Sequence, residues 1–551
     1  MDPLRVISMG GLGEFGTNMM LLEYGESVIA IDCGLMFPGA DLLGIDLIIP
    51  DVSYLVEAKK KLHGIVLTHA HEDHVGALPY LLRQLPVPIF GTRLTLGLLR
   101  NKLREHRLEN RAELREINPG SRWMLGPFQL EGIRVTHSLL QCLALAIETP
   151  VGMVVHTGDF KIDHTPMDGE AFDFQRFAAY GEKGVLLLLS DSTNVEREGY
   201  TPSEREVEKN LAEIFQGSRG RIFVATFSSN IPRIQQVADL AERFGRTLVL
   251  SGRSMLTNTQ IASDLRCLRL PAGSMTEGER WQDFPRDRVV FLTTGSQGEP
   301  LSVLHRVALD DHRWIKIERG DTVVLSARFI PGNEKTITNL INHLYRRGAE
   351  VHYERVSEIH VSGHASQEEL KTMLQLTRPR TFVPIHGEYR HLVKHIQLAQ
   401  RVGMPEESCF LLENGEVLEL TSHSARKATP VPAGKVFVDG KGVGDVEDVV
   451  IRDRRHLSED GMVLAVMAIH QQTGELVVGP DLVSRGFMRA EEGEEILEKA
   501  KRLILETLRG FNREIRMDTA ELQEEVRKTL RRYFYKTLER RPVVLPLIIE
   551  M

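Results

Sequence analysis

The stretch HGIVLTHAHEDHVGALPY, residues 63–80, places His69, His71, Asp73 and His74 within six positions, directly after a short apolar run. A run of that length bounded by polar residues is the mark of a buried strand, so the cluster sits just past a strand end. Side chains two apart on an extended segment share a face. His69 and His71 can therefore converge on one ion while Asp73 and His74 turn elsewhere, a spacing that points to two metal ions rather than one. Imidazole and carboxylate ligands with no cysteine nearby match the open, catalytic kind of zinc site rather than the closed structural kind. The segment VGALPYLLRQL predicts a helix from Val75, whose apolar face (Val75, Leu78, Leu81, Leu82 and Leu85) anchors the loop to a core.

A chain of 551 residues is long enough for three or four domains, and its 42% hydrophobic and 26% charged content is that of an ordinary globular protein. The net charge of -8 gives no global attraction to nucleic acid, so any phosphate-binding surface must be a local patch working against the overall field. Cys33, Cys142, Cys267 and Cys409 are dispersed without a C-x-x-C pair. That argues against a disulfide framework or a thiolate metal site and for a reducing cytoplasm. The N-terminus lacks a basic segment followed by a long apolar one, and no window approaches the length of a membrane span. The expectation is a protein neither exported nor membrane-spanning.

Through the first 160 residues, short apolar runs (RVISMGG, SVIAIDCG, HGIVLTHAH, GIRVTHS, GMVVHTGDF) precede glycine or polar turns, as in a strand-rich layered core with intervening helices. From Ser203, with Glu206 completing a capping-box pattern, the texture changes. The strands RIFVATF, TLVLSG, RVVFLTTG and DTVVLSA then alternate with helical patterns, the sign of a parallel sheet in a domain of its own. RTFVPIHGEYRHL afterwards repeats the strand-then-histidine arrangement, so the first domain is expected to span 1–205 and 347–424, with residues 206–346 inserted between its halves. TSHSARKATPVPAGK reads as a linker, placed at 425–460. A C-terminal α+β domain over 461–551 follows, with a strand pair and two long charged helices between Glu492 and Arg541. The glycine-rich SMGGLGEFG reads as a hairpin turn, because no dinucleotide-binding βαβ pattern surrounds it. In RRYFYK, helical spacing makes Leu530, Phe534 and Leu538 a core stripe rather than an RNA-stacking platform.

Two metals need more ligands, and three further residues stand at strand ends: His137 after GIRVT, Asp159 after GMVVHTG and His386 after RTFVPI. The ordered set His-x-His-x-Asp-His, His, Asp, His resembles the ligand set of the metallo-β-lactamase superfamily. LLSDSTN with Asp191, IHVSGHAS with His364 and PIHGEYRH with His386 resemble the additional motifs of the β-CASP nucleases. FSSNIPRIQQ, LSGRSM, TTGSQGEPLS, PGNE and VSGHASQEEL extend the likeness to the bacterial ribonuclease J family over essentially the whole chain. After His137 the family pattern usually continues Ile-Pro-Asp, whereas this chain has Leu139, Leu140 and Gln141.

The resemblance implies an αββα sandwich with an inserted β-CASP α/β domain and a small α+β C-terminal domain. It also implies two Zn2+ ions, with Mn2+ served by the same ligands. His69, His71 and His137 would hold one ion, Asp73, His74 and His386 the other, and Asp159 would bridge them; His63, His156 and His164 match no motif and read as supporting or surface residues. The expected activity is 5'-to-3' exoribonuclease on 5'-monophosphate RNA, with internal cleavage as well, in RNA processing and decay. A hydroxide activated by two metals would leave 5'-phosphates. His364 would serve as general acid or phosphate-oriented donor, and Asp191 would position a metal ligand or hold a water. Ser362, Gly363, His364, Ala365 and Ser366 would hold the terminal phosphate, with Ser228 and Asn230 as weaker substrate contacts. Single-stranded RNA, a homodimer or homotetramer and RNA-decay partner proteins are the expected associations. The competing readings are a hydrolase of small esters, thioesters or lactams on the same fold, and an inactive RNA-binding scaffold.

Overall fold

Near-continuous apolar runs along the early strands leave each sheet with two faces to bury, one against the other sheet and one against helices. The computed structural model describes residues 2–551 apart from 40, 58–59, 277, 279, 330–332, 355–358, 447, 489 and 512, so Pro331 and Gly332 of the PGNE string lie outside the described residues. The chain divides into two units, Met1–Phe37 with Leu47–Val436 and Pro38–Asp46 with Phe437–Met551.

In the first unit, an eight-stranded sheet that includes Leu4–Gly10, Met19–Tyr24, Ser27–Ile31 and Lys61–Val66 faces a six-stranded sheet. The latter runs in the order Thr381–Ile385, Val185–Asp191, Met153–His156, Leu143–Glu148, Phe128–Arg134 and Arg122–Leu125. Val6, Leu22, Ile29 and Val66 from one sheet meet Leu130, Leu145, Ile147, Val154, Leu187 and Val383 from the other in a single core. Each such side chain contributes about 1.5–3 kcal/mol on burial. The outer face of the six-stranded sheet is covered by the helices Phe174–Lys183, Gln367–Thr377 and Tyr389–Arg401 through Phe177, Leu370, Met373 and Leu398. Leu78, Leu81, Leu82, Leu99 and Leu103 are buried on the helices of the other sheet's side. The result is the layered metallo-β-lactamase architecture.

The strands Val185–Asp191 and Thr381–Ile385 are parallel neighbours. The inserted domain occupies the chain between them. Its four central strands, Thr247–Ser251, Val289–Thr293, Ile222–Ala225 and Thr322–Leu325, are all parallel. Ile222, Val224, Val290 and Leu292 pack on the helices at one face, while Phe223, Phe291, Val323 and Leu325 pack on Val307, Leu340 and Leu344 at the other. In the second unit, Met462–Ile469 pairs antiparallel with Leu476–Arg485 and parallel with Val543–Glu550. Leu522, Val526, Leu530 and Phe534 of the helix Thr519–Leu538 bury against that sheet, with Leu538 partly buried beside them.

Two local expectations change, and a third holds. The helix after the histidine cluster begins at Glu72, so Asp73 and His74 lie in its first turn, and it breaks after Val75 before resuming over Leu78–Gln84. The segment read as a linker holds an edge strand, Ala425–Ala428, paired with Val417–Leu420, and a helix, Asp448–Asp460. Arg426 and Lys427 pair with Glu419 and Glu416, and charges of this kind blunt an exposed edge, which is why the strand looks like a polar tether. The glycine-rich turn joins the antiparallel neighbours Leu4–Gly10 and Met19–Tyr24, as a hairpin connection does. Leu12–Gly13 forms a short parallel pair with Gly387–Glu388, bringing it against the loop of His386.

The helix Tyr389–Arg401 also buries His395, whose Nδ1–H donates to Ser192 Oγ at 3.0 Å. Burial pushes its pKa down to about 3. A histidine that is neutral when folded but titrates near pH 6.5 when unfolded gives its full stability above that pH. The contribution drains away as the pH falls toward 3, by about 1.4 kcal/mol per pH unit. Denaturant melts in EDTA between pH 7 and 4 should show His395→Gln with a shallower loss of stability than the parent; parallel curves would refute this account.

Candidate metal centre

Parallel strands end together. Met153–His156, Val185–Asp191 and Thr381–Ile385 run in one direction in the six-stranded sheet, so Asp191 at the end of one strand and Asp159 and His386 just past the ends of the others share one rim. Ser27–Ile31 and Lys61–Val66 are likewise parallel in the other sheet, which sets Asp32 beside Thr68 and His69. The two rims meet, and the helix that starts at Glu72 brings in Asp73 and His74.

Two groups of donor atoms result. In the first, His69 Nε2 lies 3.0 Å from His71 Nδ1, and His137 Nε2 lies 3.2 Å from the same atom. Nitrogens held at about 2.0–2.1 Å by a tetrahedral zinc would be about 3.4 Å apart. In the second, His74 Nε2 is 3.5 Å and His386 Nε2 3.2 Å from Asp73 Oδ2. One atom, Asp159 Oδ2, belongs to both: it is 3.6 Å from His69 Nε2 and 3.9 Å from His137 Nε2, and 3.3 Å from His74 Nε2 and 3.4 Å from His386 Nε2.

The hydrogen bonds behind these rings fix their tautomers. Thr68 Oγ1–H donates to Asp32 Oδ2 at 2.8 Å, so His69 Nδ1–H donates to Thr68 Oγ1 at 3.0 Å. His74 Nδ1–H donates to the same Asp32 oxygen at 2.8 Å, and His137 Nδ1–H to the Gly363 carbonyl at 2.6 Å. His386 Nδ1–H donates to Thr193 Oγ1 at 2.9 Å, whose hydroxyl donates to Asp191 Oδ1 at 2.8 Å. Each of these four rings therefore turns Nε2, rather than Nδ1, inward. Lone pairs crowded at such distances repel unless a cation lies between them, and the mixture of imidazole and carboxylate suits zinc or manganese.

The electrostatics follow the same division. Burial, with neighbouring histidines, holds His69 and His137 well below the usual imidazole pKa, and burial takes His71 down to about 4. Burial opposes protonation of His74 and His386 as well. Asp159, Asp73 and Asp32 outweigh it at His74, and Asp159, Asp73 and Asp191 lift His386 to about 9. The second group thus carries the surplus of negative charge, which a cation would offset.

Close approach demands glycine at two points. A Cβ on Gly34 would sit 1.6 Å from the Asp73 carbonyl oxygen, and one on Gly363 would sit 2.5 Å from the His137 ring. Asn18 Nδ2–H donates to the Asp73 carbonyl at 3.0 Å. Asp32, Thr68, Asn18 and Thr193 were not singled out by sequence reasoning, although Asp32 ends the strand run SVIAIDCG in the manner that marked Asp159.

His364 stands at the edge of the cluster. Its Nδ1–H donates to Asp191 Oδ2 at 2.8 Å and lies 4.0 Å from Asp159 Oδ2. Around it, Ser362 Oγ accepts from the His364 amide at 3.2 Å, Ala365 is buried, and the amide of Ser366 donates to Glu369 Oε2 at 2.7 Å as the helix Gln367–Thr377 begins. Ser228 and Asn230 lie at the carboxyl end of an inserted-domain strand, in neither donor group. Asn230 Oδ1 caps the helix Ile231–Arg243 by accepting from Arg233 N at 3.0 Å, and Ser228 Oγ accepts from Asn258 at 3.1 Å. Of the unmatched histidines, His156 Nδ1 is buried accepting from Gly158 N at 3.0 Å, His63 contacts Ser27 Oγ at 3.1 Å, and His164 stacks on Phe174. Gln141, in the segment departing from the family pattern, accepts from Leu94 N at 2.9 Å and so ties the His137 loop to the helix Arg93–Glu105.

Comparison with known proteins accounts for nearly the whole chain. Residues 12–194 match the profile described as metallo-beta-lactamase superfamily, 219–344 that of the ribonuclease J beta-CASP domain, 348–410 that of the Zn-dependent metallo-hydrolase RNA specificity domain, and 449–551 that of the ribonuclease J C-terminal domain. Ribonuclease J of Thermus thermophilus is 44% identical over 100% of this chain and 96% of its own length. The chain belongs to the ribonuclease J family. Ribonuclease J 1 of Streptococcus pyogenes (41% identical, 100% of this chain and 98% of the relative) and ribonuclease J2 of Bacillus subtilis (37%, 100% and 99%) extend the same relation. A solved protein of unknown function from Enterococcus faecalis shares the fold over 76% of this chain and 100% of its own, at TM-score 0.53 and 17% identity. As a member of this family, the protein is a metal-dependent RNA nuclease rather than a hydrolase of small esters. Among the described residues, no helix is long and apolar enough to cross a membrane.

Proposed function

We propose that the protein is a two-metal 5'-to-3' exoribonuclease that prefers 5'-monophosphate ends and also cuts internally. The observation that carries this reading is the single Asp159 oxygen that faces a histidine Nε2 in each of two donor groups. His69, His71, His137 and Asp159 would hold one ion, and Asp73, His74, His386 and Asp159 the other, with zinc as the ion that best suits them and manganese accommodated by the same donors. When bound, such a pair lowers the pKa of an attacking water and offsets the charge that develops on the phosphodiester.

The chain's own residues do the rest. Asp191 occupies Nδ1 of His364, so Nε2 is the ring atom left to deliver a proton to the departing 3' oxygen, and the Asp191 carboxylate steadies the imidazolium that gives it. The small-residue loop Ser362 to Ser366 sets the Ser362 hydroxyl and the His364 ring side by side at the edge of the donor groups, where they can donate to an anion. A 5'-phosphate lodged there would set the scissile bond at a fixed step from the donor groups, giving one nucleotide per cut. Ser228 and Asn230 would contact the RNA farther along. A cytoplasmic homodimer or homotetramer acting with RNA-decay proteins, built from domains at 1–205 with 347–424, 206–346 and 461–551, completes the proposal.

Two measurements test it. Internally labelled RNA bearing a 5'-monophosphate should release mononucleotides rapidly, while the 5'-triphosphate form should not; equal internal fragments from both would leave an endonuclease only. His364→Ala should lower kcat by about 10²- to 10³-fold with metal content unchanged, and loss of metal in that variant would assign His364 to the ion rather than to the proton.

A further inference from the structure

The parallel sheet of the inserted domain has a second rim, at the amino ends of its strands, which the metal centre does not use. A cavity of about 470 Å³ opens there, walled by Phe215 and Phe244 and lined by Arg219, Arg246, Arg288 and Asp287. Arg246 is only 8% exposed. Its Nη1 donates to the Gly220 carbonyl at 2.8 Å and its Nη2 to the Ser218 carbonyl at 2.6 Å, and no carboxylate among the described residues lies within ion-pair distance of it. Burial draws its pKa below the ordinary guanidinium value, with Asp287 opposing and Arg288 adding to the effect. A buried cation satisfied by carbonyl dipoles alone is costly until an anion reaches it.

The carboxylates nearby are already engaged. Asp321 is held by Arg221 at 2.6 Å and by Arg286 at 2.9 Å, and Glu318 by Arg286 at 3.0 Å. Arg286, which also lines the cavity, is therefore neutralised, while Arg219, Arg246 and Arg288 face Asp287 alone. The neighbouring cleft beyond Ser218 carries Glu213 and Glu350, so the positive character does not extend into it. In a chain of net charge -8, such a patch is a local exception.

We propose that this cavity binds a nucleoside phosphate, with the phosphate on Arg246, Arg288 and Arg219 and the base against the partly exposed Phe244 ring. The guanidinium fork matches phosphate oxygens, and an aromatic face accepts any base. The ligand is either a nucleotide unit of an RNA chain lying away from the metal centre or a free mononucleotide. The inference goes beyond the exonuclease reading and stands whether or not the cleavage is exonucleolytic.

The test uses the full chain in EDTA, so that RNA is bound but not cut, and a fluorescent single-stranded RNA with a 5'-hydroxyl, so that no terminal phosphate contributes. The variant Arg219→Glu/Arg288→Glu changes two exposed side chains; Arg246→Gln is compared with it after its folding is checked by circular dichroism. The double variant should bind this RNA about 10-fold more weakly, with a log K against log salt slope shallower by about 1.4, as expected for two lost phosphate contacts on a single strand. Loss of RNA affinity alone identifies a chain phosphate as the ligand, and loss of AMP binding by calorimetry identifies a free nucleotide. Unchanged RNA affinity, salt slope and AMP binding would overturn the proposal. So would an equal fall in hydrolysis of a dinucleotide by the metal-loaded double variant, because the effect would then run through the metal centre.

Discussion

Asp159→Ala should lose both metal ions in one step and lower RNA cleavage by about 10⁴-fold or more, while RNA binding in EDTA stays close to the parent's. On the two-metal proposal the magnitude follows from the sharing of one atom: each ion would be worth several kcal/mol to the reaction, two together would exceed about 5 kcal/mol, and 1.4 kcal/mol is a factor of ten. Removing a donor from one group alone is the control. His71→Ala takes a nitrogen from the first group and leaves all four members of the second, so elemental analysis should find it retaining more metal than Asp159→Ala. Fold loss is not the expected cause, because Asp159 closes a cluster of donors rather than an apolar core. If Asp159→Ala kept a full metal complement, the oxygen would not be shared as the distances imply.

How far this centre could be read from the chain depends on what kind of signal each residue leaves. His69, His71, Asp73 and His74 announce themselves because four donors in six positions have few structural uses, and His137, Asp159 and His386 because each ends an apolar run. Asp32 left the same strand-end mark, yet a single aspartate before Cys-Gly is equally a turn residue. Only the parallel pairing of Ser27–Ile31 with Lys61–Val66 reveals that it reaches both Thr68 and His74. Thr193 and Gly363 act through a hydroxyl and a carbonyl, groups every chain has in abundance, and their roles exist only once distant segments meet. The same holds for the fold. The inserted parallel sheet was legible from its fully apolar strands, whereas Ala425–Ala428 was not, since an edge strand dressed in Arg426 and Lys427 has the composition of a tether.

Arg233 is the sharpest case of a residue that composition hides, and its removal carries the second large expected effect. It is a charged residue on the helix Ile231–Arg243, yet its side chain is fully buried. It donates to Glu204 Oε2 at 2.6 Å, Gln236 Oε1 at 2.7 Å and the Ile359 carbonyl at 2.8 Å, and it also bonds Ser326 Oγ. These partners join the helix Glu204–Gly217 and the strand end at Ser326 to the segment leading back into the sandwich. Arg233→Met keeps the volume but leaves Glu204 buried beside Lys161 Nζ alone, at 3.6 Å. Breaking one side of a buried pair costs about 3–5 kcal/mol, and the residual lysine places the expectation at the lower end, near 3 kcal/mol. Glu204 is buried, which raises its pKa, but Arg233 and then Lys161 more than offset this and hold it below the usual carboxylate range. Its stabilisation is therefore present above the unfolded value near 4.5 and is lost as the pH falls through the lower folded one. In Arg233→Met that acid sensitivity should weaken. The double variant Arg233→Met/Glu204→Gln should recover part of the loss in a denaturant melt at pH 7, since it removes the uncompensated charge as well as its partner. Equal stability of the single and double variants would mean that the lost hydrogen bonds to Ser326 and Ile359, rather than the stranded carboxylate, account for the cost.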